Sequence, residues 1–150
     1  SDRLGGDFPV YGSNGIVGHH NEFLVEGPFI IIGRKGSAGE INFSDKNGFP
    51  IDTTFYISKD EINDEKIDFN YLYFTLMSLN LDKTSSQQTV PGLNRNDAYK
   101  KTIGLPTLDH QKQIVKKLEE ERKVIEGNKK LIEIYTQKIQ DRINKVWGED

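Results

Sequence analysis

The spacing of hydrophobic residues divides the chain into a β-rich first part, one short helix and one very long helix. Between residues 8 and 58, short segments rich in β-branched and aromatic residues alternate with Gly, Asn, Asp and Pro, as in strands joined by turns. The expected strands are Phe8–Tyr11, Phe23–Val25, Phe29–Ile32, Glu40–Phe43 and Thr53–Ile57. The segments are short and closely spaced, so we expect a mixed or antiparallel sheet.

The hydrophobic period changes after residue 68. Phe69, Leu72 and Leu76 fall on one face of a helix, so Phe69–Leu81 is predicted to be helical, with Asp68 as its N-cap. Residues 82–99 are polar and are broken by Gly and Pro, which predicts a long loop. Ile103–Leu105 is expected to return as a short strand.

From about residue 107 the pattern is helical for roughly 40 residues, or about 60 Å of helix at 1.5 Å per residue. Apolar residues recur every seven positions, which indicates a coiled-coil seam that needs a partner helix. The seam residues are Leu118, Ile125, Ile132, Ile139 and Val146. Gly127 interrupts the run at a cost of about 1 kcal/mol relative to alanine and is expected to mark a bend. The predicted fold is α+β, with a globular domain at 1–106 and a long helix at 107–150.

Composition narrows the class of protein without identifying it. The 150 residues carry a net charge of −3 and no cysteine, so a disulfide framework and thiolate metal ligands are excluded. No apolar run reaches the roughly 18–20 residues of a membrane span, and the first residues do not resemble a signal peptide. We therefore expect no membrane partner and a cytoplasmic location. Acidic residues concentrate in Asp60–Asp68, which leaves local positive regions elsewhere in the chain.

In the segment Ile30–Gly39 (IIIGRKGSAG), three isoleucines that predict an interior strand are followed at once by a glycine-rich turn with two cationic residues. Arg34 can chelate a guanine edge or a phosphate, while Lys35 and Ser37 can hold backbone oxygens. Its spacing, G-x-x-G-x-x-G, occurs earlier at Gly12–Gly18, where Asn14 occupies the turn. These residues are candidates for DNA contact. The alternative is a pair of ordinary hairpin turns with solvated charges.

The loop at 82–99 and the residues after it offer a second group of polar and cationic side chains. Asn and Gln can read adenine bidentately, and Arg suits guanine. The candidates here are Gln87, Gln88, Asn94, Arg95 and Lys100. A loop that is merely solvated explains the same composition.

Other chemistries fit the sequence less well. The glycine turn matches neither the P-loop nor the dinucleotide fingerprint, so we expect no nucleotide and no other cofactor. His19, His20 and His110 lack the spacing of a metal site, so no metal is expected. Asp52 together with Asp64–Lys66 weakly resembles a metal-dependent nuclease pattern, although the second element falls in a polar loop. No catalytic residue is predicted.

Five motifs occur in one order: NGIVG, FIIIGRKGSAG, IDTTFYI, FNYLYFTL and GLPTLDHQKQIVKKLE. Together they resemble a target-recognition domain and spacer helix of the specificity subunit of type I restriction–modification systems, or the equivalent module of a fused adenine-N6 DNA methyltransferase. The resemblance implies a non-catalytic module that reads one half of a bipartite double-stranded DNA target. It also implies helix pairing with a second recognition domain, a homodimer being one form of that pairing, and docking of an adenine-N6 methyltransferase.

One departure from the family concerns length. A complete specificity subunit resembles two domain–helix repeats, and this sequence contains one, so we expect half a subunit or the last segment of a longer protein. Two other functions stay open from the residues alone. The first is an assembly module that acts only through its helix, and the second, more distant, is a metal-dependent nuclease.

Overall fold

The computed structural model of the chain describes residues 5–81 and 92–148. Two three-stranded sheets precede the helices in this part of the chain. The strands are β1 (Phe8–Gly12), β2 (Gly15–His20), β3 (Phe29–Gly33), β4 (Ile41–Ser44), β5 (Phe49–Pro50) and β6 (Thr54–Ser58). The helices are α1 (Phe69–Ser78), α2 (Arg95–Tyr99) and α3 (Leu108–Trp147), and a short 3-10 turn covers Lys59–Glu61. The α+β prediction with mixed and antiparallel sheets is confirmed.

The two sheets differ in their strand directions. In the first, β1 lies between β2, which is antiparallel to it, and β5, which is parallel. In the second, β3 lies between β4 and β6 and is antiparallel to both. The central strands β1 and β3 carry the most buried residues, as expected where a strand is paired on both edges.

Strand β3 is buried on both of its faces, which explains the uninterrupted isoleucine run. Ile30 and Ile32 belong to a hydrophobic cluster with Phe69 and Leu72 of α1. Phe29 and Ile31 alternate with them and belong to a second cluster, with Tyr11 of β1 and Val25. Because successive strand residues point to opposite faces, one strand serves two cores. This strand fixes the position of the glycine turn that follows it.

Several predicted elements differ in the structure. Gly15–His20 forms a strand that the sequence pattern missed, because Gly15 and Gly18 weaken its strand signal. Phe23–Val25 is not a strand, and Val25 makes only an isolated bridge with Gly48. The residues that follow Gly48, in β5, pair with β1. Helix α1 ends at Ser78 rather than Leu81, since Asn80 adopts a φ of 48°.

The prediction for the segment after residue 91 also needs correction. A short helix, α2, lies in the part predicted to be loop, and Asn94 caps it by accepting a hydrogen bond from the Asn96 amide. Ile103–Leu105 is not a strand. The hydroxyl of Tyr71 donates to the carbonyl oxygen of Gly104 at 2.8 Å, so a side chain holds this segment in place of a strand neighbour.

Helix α3 is continuous from Leu108 to Trp147 and runs through Gly127 without a break. Its first turn carries Gln111, which is fully buried. The Gln111 amide nitrogen donates to the carbonyl oxygens of Lys66 (3.0 Å) and Pro106 (2.8 Å), and its oxygen accepts from the Asp68 amide (2.8 Å). Asp68 caps α1 as predicted, so Gln111 ties the start of α3 to the start of α1. The chain divides into two compact units after Gln111.

No helix within residues 5–81 and 92–148 is both long enough and apolar enough to span a membrane.

Candidate nucleic-acid interface

The turn between β3 and β4 is a closed backbone structure that presents two cations. The Gly33 amide donates to the Glu40 carbonyl oxygen at 2.8 Å, and the Gly39 amide donates to the Gly33 carbonyl oxygen at 2.7 Å. A side chain at Gly33 would place its Cβ 2.1 Å from the Ser37 carbonyl oxygen, so only glycine fits there. Arg34 and Lys35 leave this turn as exposed side chains.

The carbonyl oxygen of Thr53 connects three segments at the base of this turn. It accepts hydrogen bonds from the amides of Arg34 (2.8 Å) and Lys35 (3.2 Å), and from the hydroxyl of Ser13. Ser13 lies in the β1–β2 hairpin turn, immediately before the exposed Asn14. The hairpin turn, the glycine turn and the turn before β6 therefore meet at one edge of the domain.

A fourth segment joins the same edge. The Leu93 amide donates to the Arg34 carbonyl oxygen at 2.9 Å, and Lys35 forms an isolated antiparallel bridge with Gly92. Leu93 is buried, which anchors the exposed Asn94 and Arg95 that follow it. We call this group the cationic edge; its residues are Asn14, Arg34, Lys35, Asn94 and Arg95. These five predicted DNA contacts come from three separate parts of the sequence.

Two aromatic rings and one carboxylate lie next to the residues of the cationic edge. The guanidinium carbons of Arg34 and Arg95 lie 5.5 and 5.9 Å from the centroid of the Phe55 ring. Arg95 is also 5.7 Å from the ring centroid of Tyr99. The Asp52 carboxylate lies 3.7 Å from the Lys35 ammonium group, and both side chains are largely exposed. An exposed pair of this kind is weak, so Lys35 can exchange Asp52 for another anion.

Two other predicted contact residues, Ser37 and Lys100, interact with groups outside the cationic edge. Ser37 is half-buried and borders a cleft of about 550 Å³ that Met77 of α1 and Asn80, just after α1, also line. Lys100 pairs with Asp97 at 2.8 Å at the end of α2. Gln87 and Gln88 lie outside the described residues.

Phe55, Tyr99 and Asp52 did not emerge as interface residues from the sequence. Phe55 is part of an ordinary strand pattern, and its proximity to the two arginines depends on the pairing of β6 with β3. The order of residues along the chain carries no signal for that proximity. Asn94, a residue type that commonly caps helices, was the one sequence signal for α2. A helix starting there would also have indicated the position of Tyr99.

The metal alternatives gain no support from the described residues. Within residues 5–81 and 92–148, no three His, Asp or Glu side chains group closely enough to hold a metal ion. Asp64–Lys66 forms a turn, and Asp52 pairs with Lys35. The His20 ring packs against Phe49 with centroids 4.9 Å apart, and its Nδ1 atom accepts a hydrogen bond from the Glu22 amide.

Along α3 the predicted seam residues form a row of apolar side chains. Leu118 is half-buried, and the four that follow are exposed, with Ile132 at 66% and Val146 at 83%. Between these positions polar pairs stabilise the helix surface. One of them joins Arg122 to Glu126 at 2.9 Å, and this hydrogen bond, helped by the positive charge, lowers the pKa of Glu126 below its ordinary value of 4.5.

Comparison with known proteins identifies the class. The family described as type I restriction modification DNA specificity domain matches residues 1–135. The fold resembles a crystal structure of the type I restriction-modification system S subunit from M. genitalium, with a TM-score of 0.68 and 18% sequence identity. That match covers 89% of this chain and 39% of the other, so the chain spans about two fifths of the length of that subunit. A comparison with curated protein sequences finds no match.

These findings define the class of the molecule: it is a DNA specificity domain with an α+β fold and a long helix. The chain belongs to the type I restriction modification DNA specificity domain family. DNA target recognition is therefore its class of function.

Proposed function

We propose that this chain reads one half of a bipartite DNA target through the cationic edge and contributes no catalytic group. The observation that carries the proposal is the backbone bonding around Arg34. Its amide and carbonyl are both engaged, by Thr53 and Leu93, so side chains from three segments project from a single supported edge. Preorganised donors of this kind lose little conformational freedom on binding.

The side chains on this edge suit both parts of DNA recognition. Arginine binds the O6 and N7 atoms of guanine, and asparagine binds the N6 and N7 atoms of adenine. Lys35 would contact a phosphate, and the weakness of its exposed pairing with Asp52 supports this role. Ser37, Gln87, Gln88 and Lys100 remain further candidate contacts from the sequence. We assign no base to any residue.

The test of the DNA site is the substitution Arg34→Ala. A preferred duplex is first selected from a library of random sequences, and binding is then measured on it and on an unrelated duplex. If Arg34 reads a base, we expect a loss of about 1–3 kcal/mol on the preferred duplex and a smaller loss on the other. The matched control is Arg142→Ala, which removes an exposed arginine of α3.

The other outcomes of this experiment are equally informative. Equal losses on both duplexes, with a shallower salt dependence, make Arg34 a phosphate contact. Unchanged binding to both duplexes contradicts the placement of DNA on the cationic edge.

We also propose that the outer part of α3 pairs with the helix of a second recognition domain and helps to position an adenine-N6 methyltransferase. The exposed apolar row on α3 supports this pairing, since apolar side chains at heptad spacing gain stability when a second helix covers them. Because the chain spans 39% of the matched subunit, a second such unit is the natural source of that helix. A second copy of this chain is one form of the partner. The site of action would be the cytoplasm.

An assembly module without DNA specificity is the second candidate, and the same apolar row favours it. The library selection separates the two, because a pure assembly module enriches no sequence. A nuclease, the more distant alternative, requires Mg²⁺-dependent cleavage that is lost in Asp52→Asn.

A further inference from the structure

Phe55 contacts both arginines of the cationic edge. The guanidinium carbons of Arg34 and Arg95 lie 5.5 and 5.9 Å from its ring centroid, within the distance at which a cation is attracted to an aromatic ring. The two arginines are far apart in sequence and come from different elements, the β3–β4 turn and α2. One aromatic ring therefore serves as a common support for two candidate DNA-reading groups.

The Phe55 ring is held by the domain rather than by the arginines. Phe55 lies in β6, where it is paired with Ile32 of the central strand β3. Its side chain packs against the hydrophobic cluster that contains Ile32 and Leu93. The ring is thus fixed from below by the core while it remains half-buried and accessible to the two guanidinium groups.

Each arginine is also restrained at its backbone. The Arg34 carbonyl accepts from Leu93, and Arg95 follows Asn94, the N-cap of α2. A weak hydrogen bond from Arg34 Nη1 to the Asp52 carbonyl oxygen (3.4 Å) and the Tyr99 ring beside Arg95 add a second contact to each side chain. An exposed arginine without such contacts samples many rotamers and must be ordered when it binds.

We propose that Phe55 is a positioning residue for DNA recognition: its ring orders the guanidinium groups of Arg34 and Arg95 before DNA arrives. This inference rests on the proposed function for its consequence in DNA binding. The ordering itself is a property of the free protein and can be measured separately. Phe55 does not need to touch DNA.

The first measurement uses the protein without DNA. NMR order parameters of the side-chain Nε–H groups of Arg34 and Arg95 should exceed that of Arg142, an exposed arginine of α3. Phe55→Leu, which keeps an apolar side chain in the core, should lower both values, while Phe55→Tyr, which keeps the ring, should preserve them. Values unchanged in Phe55→Leu would overturn the proposal.

The second measurement uses the preferred duplex from the library selection. Phe55→Leu should weaken binding by about fivefold to a hundredfold, because two arginine side chains must then be ordered in the binding step, and Phe55→Tyr should restore it. In the Phe55→Leu background, Arg34→Ala and Arg95→Ala should each cost less than in the wild type. Additive losses would show that Phe55 acts independently of the arginines, which would also overturn the proposal.

Two controls keep the interpretation clear. If Phe55→Leu unfolds, Tyr99→Leu tests the same principle on Arg95 alone, because Tyr99 is 73% exposed and lies outside the core. There the order parameter should fall for Arg95 and not for Arg34. If Arg34→Ala and Arg95→Ala leave DNA binding unchanged, the proposed DNA site fails, whereas the order parameters still decide whether Phe55 positions the two side chains.

Discussion

The two ends of helix α3 differ in whether polar or apolar side chains are buried. At the start, the polar residue Gln111 is fully buried, and its side chain forms three hydrogen bonds to backbone groups. Toward the other end, apolar residues such as Ile132 and Val146 are exposed. The first region is stabilised within its own compact unit, whereas the second gains stability only when another helix covers it.

This difference indicates how one helix can serve two purposes. Buried polar groups with complete hydrogen bonding specify one arrangement, because any displacement leaves donors and acceptors unpaired. Exposed apolar groups at heptad spacing specify a partner instead. The start of α3 is therefore fixed within its own compact unit, and the apolar row on the remainder is the surface that we propose pairs with another helix.

The largest effect should follow from disrupting the apolar row. The double substitution Ile125→Asp with Ile132→Asp should weaken helix pairing by about 3–6 kcal/mol, since burying each isoleucine contributes about 1.5–3 kcal/mol. Sedimentation equilibrium over a wide concentration range measures this loss. Unfolding of the compact unit that ends at Gln111 should be unaffected, because neither side chain belongs to it.

The control for this variant alters residues on the other face of the helix. Lys123→Gln with Lys130→Gln changes the charge of the helix by the same amount at exposed positions away from the heptad row and should leave pairing nearly unchanged. A wild-type chain that stays strictly monomeric at high concentration would argue against self-pairing and would leave a different partner helix as the occupant of the seam.

A smaller effect, on folding rather than on pairing, is expected at Gln111. Gln111→Ala leaves the Lys66 and Pro106 carbonyls and the Asp68 amide without this partner, so the free energy of unfolding should fall by about 2–4 kcal/mol. Urea denaturation provides the measurement. Gln113→Ala, two residues along at an exposed position, is the matched control and should change stability little. Similar costs for the two variants would show that the buried hydrogen bonds do not stabilise the unit.

The sequence predicted these two ends unequally. The heptad row on α3 was visible because a repeat of seven is local information that depends only on spacing along one helix. Gln111 was not singled out, since its partners Lys66 and Asp68 are distant in sequence and nothing in a single glutamine marks it as buried. Pattern therefore predicts where a helix is and which face is apolar, but not which polar residue closes a buried network.

The same distinction explains the results in the β-rich part and at the interface. Phe29–Ile32 was identified as a strand because an apolar β-branched run is a strong local signal, whereas Gly15–His20 was missed because its glycines weaken that signal. Arg34 and Arg95 were selected from the chemistry of their side chains. Their shared contact with Phe55 follows from strand pairing and could not be read from the sequence.

The smallest effect concerns Gly127, the residue expected to mark a bend. The helix passes through Gly127 without a break, and a Cβ atom there would meet no other group within 4 Å. Gly127→Ala should therefore stabilise α3 by about 0.5–1 kcal/mol, because alanine loses less backbone entropy than glycine on entering a helix. The thermal melting of the helical circular dichroism signal measures the gain.

The same substitution at Gly36 provides a control with the opposite sign. Gly36 also has open space around it, but its φ of +76° is unfavourable for residues with a side chain. Gly36→Ala should therefore destabilise the glycine turn, by about 1 kcal/mol, even though nothing blocks the methyl group. Since both sites are open, a gain at residue 127 together with a loss at residue 36 would isolate backbone conformation as the cause. A loss at both positions would indicate that α3 bends at Gly127 in solution, and the exposed apolar row would then follow a kinked rather than a continuous helix.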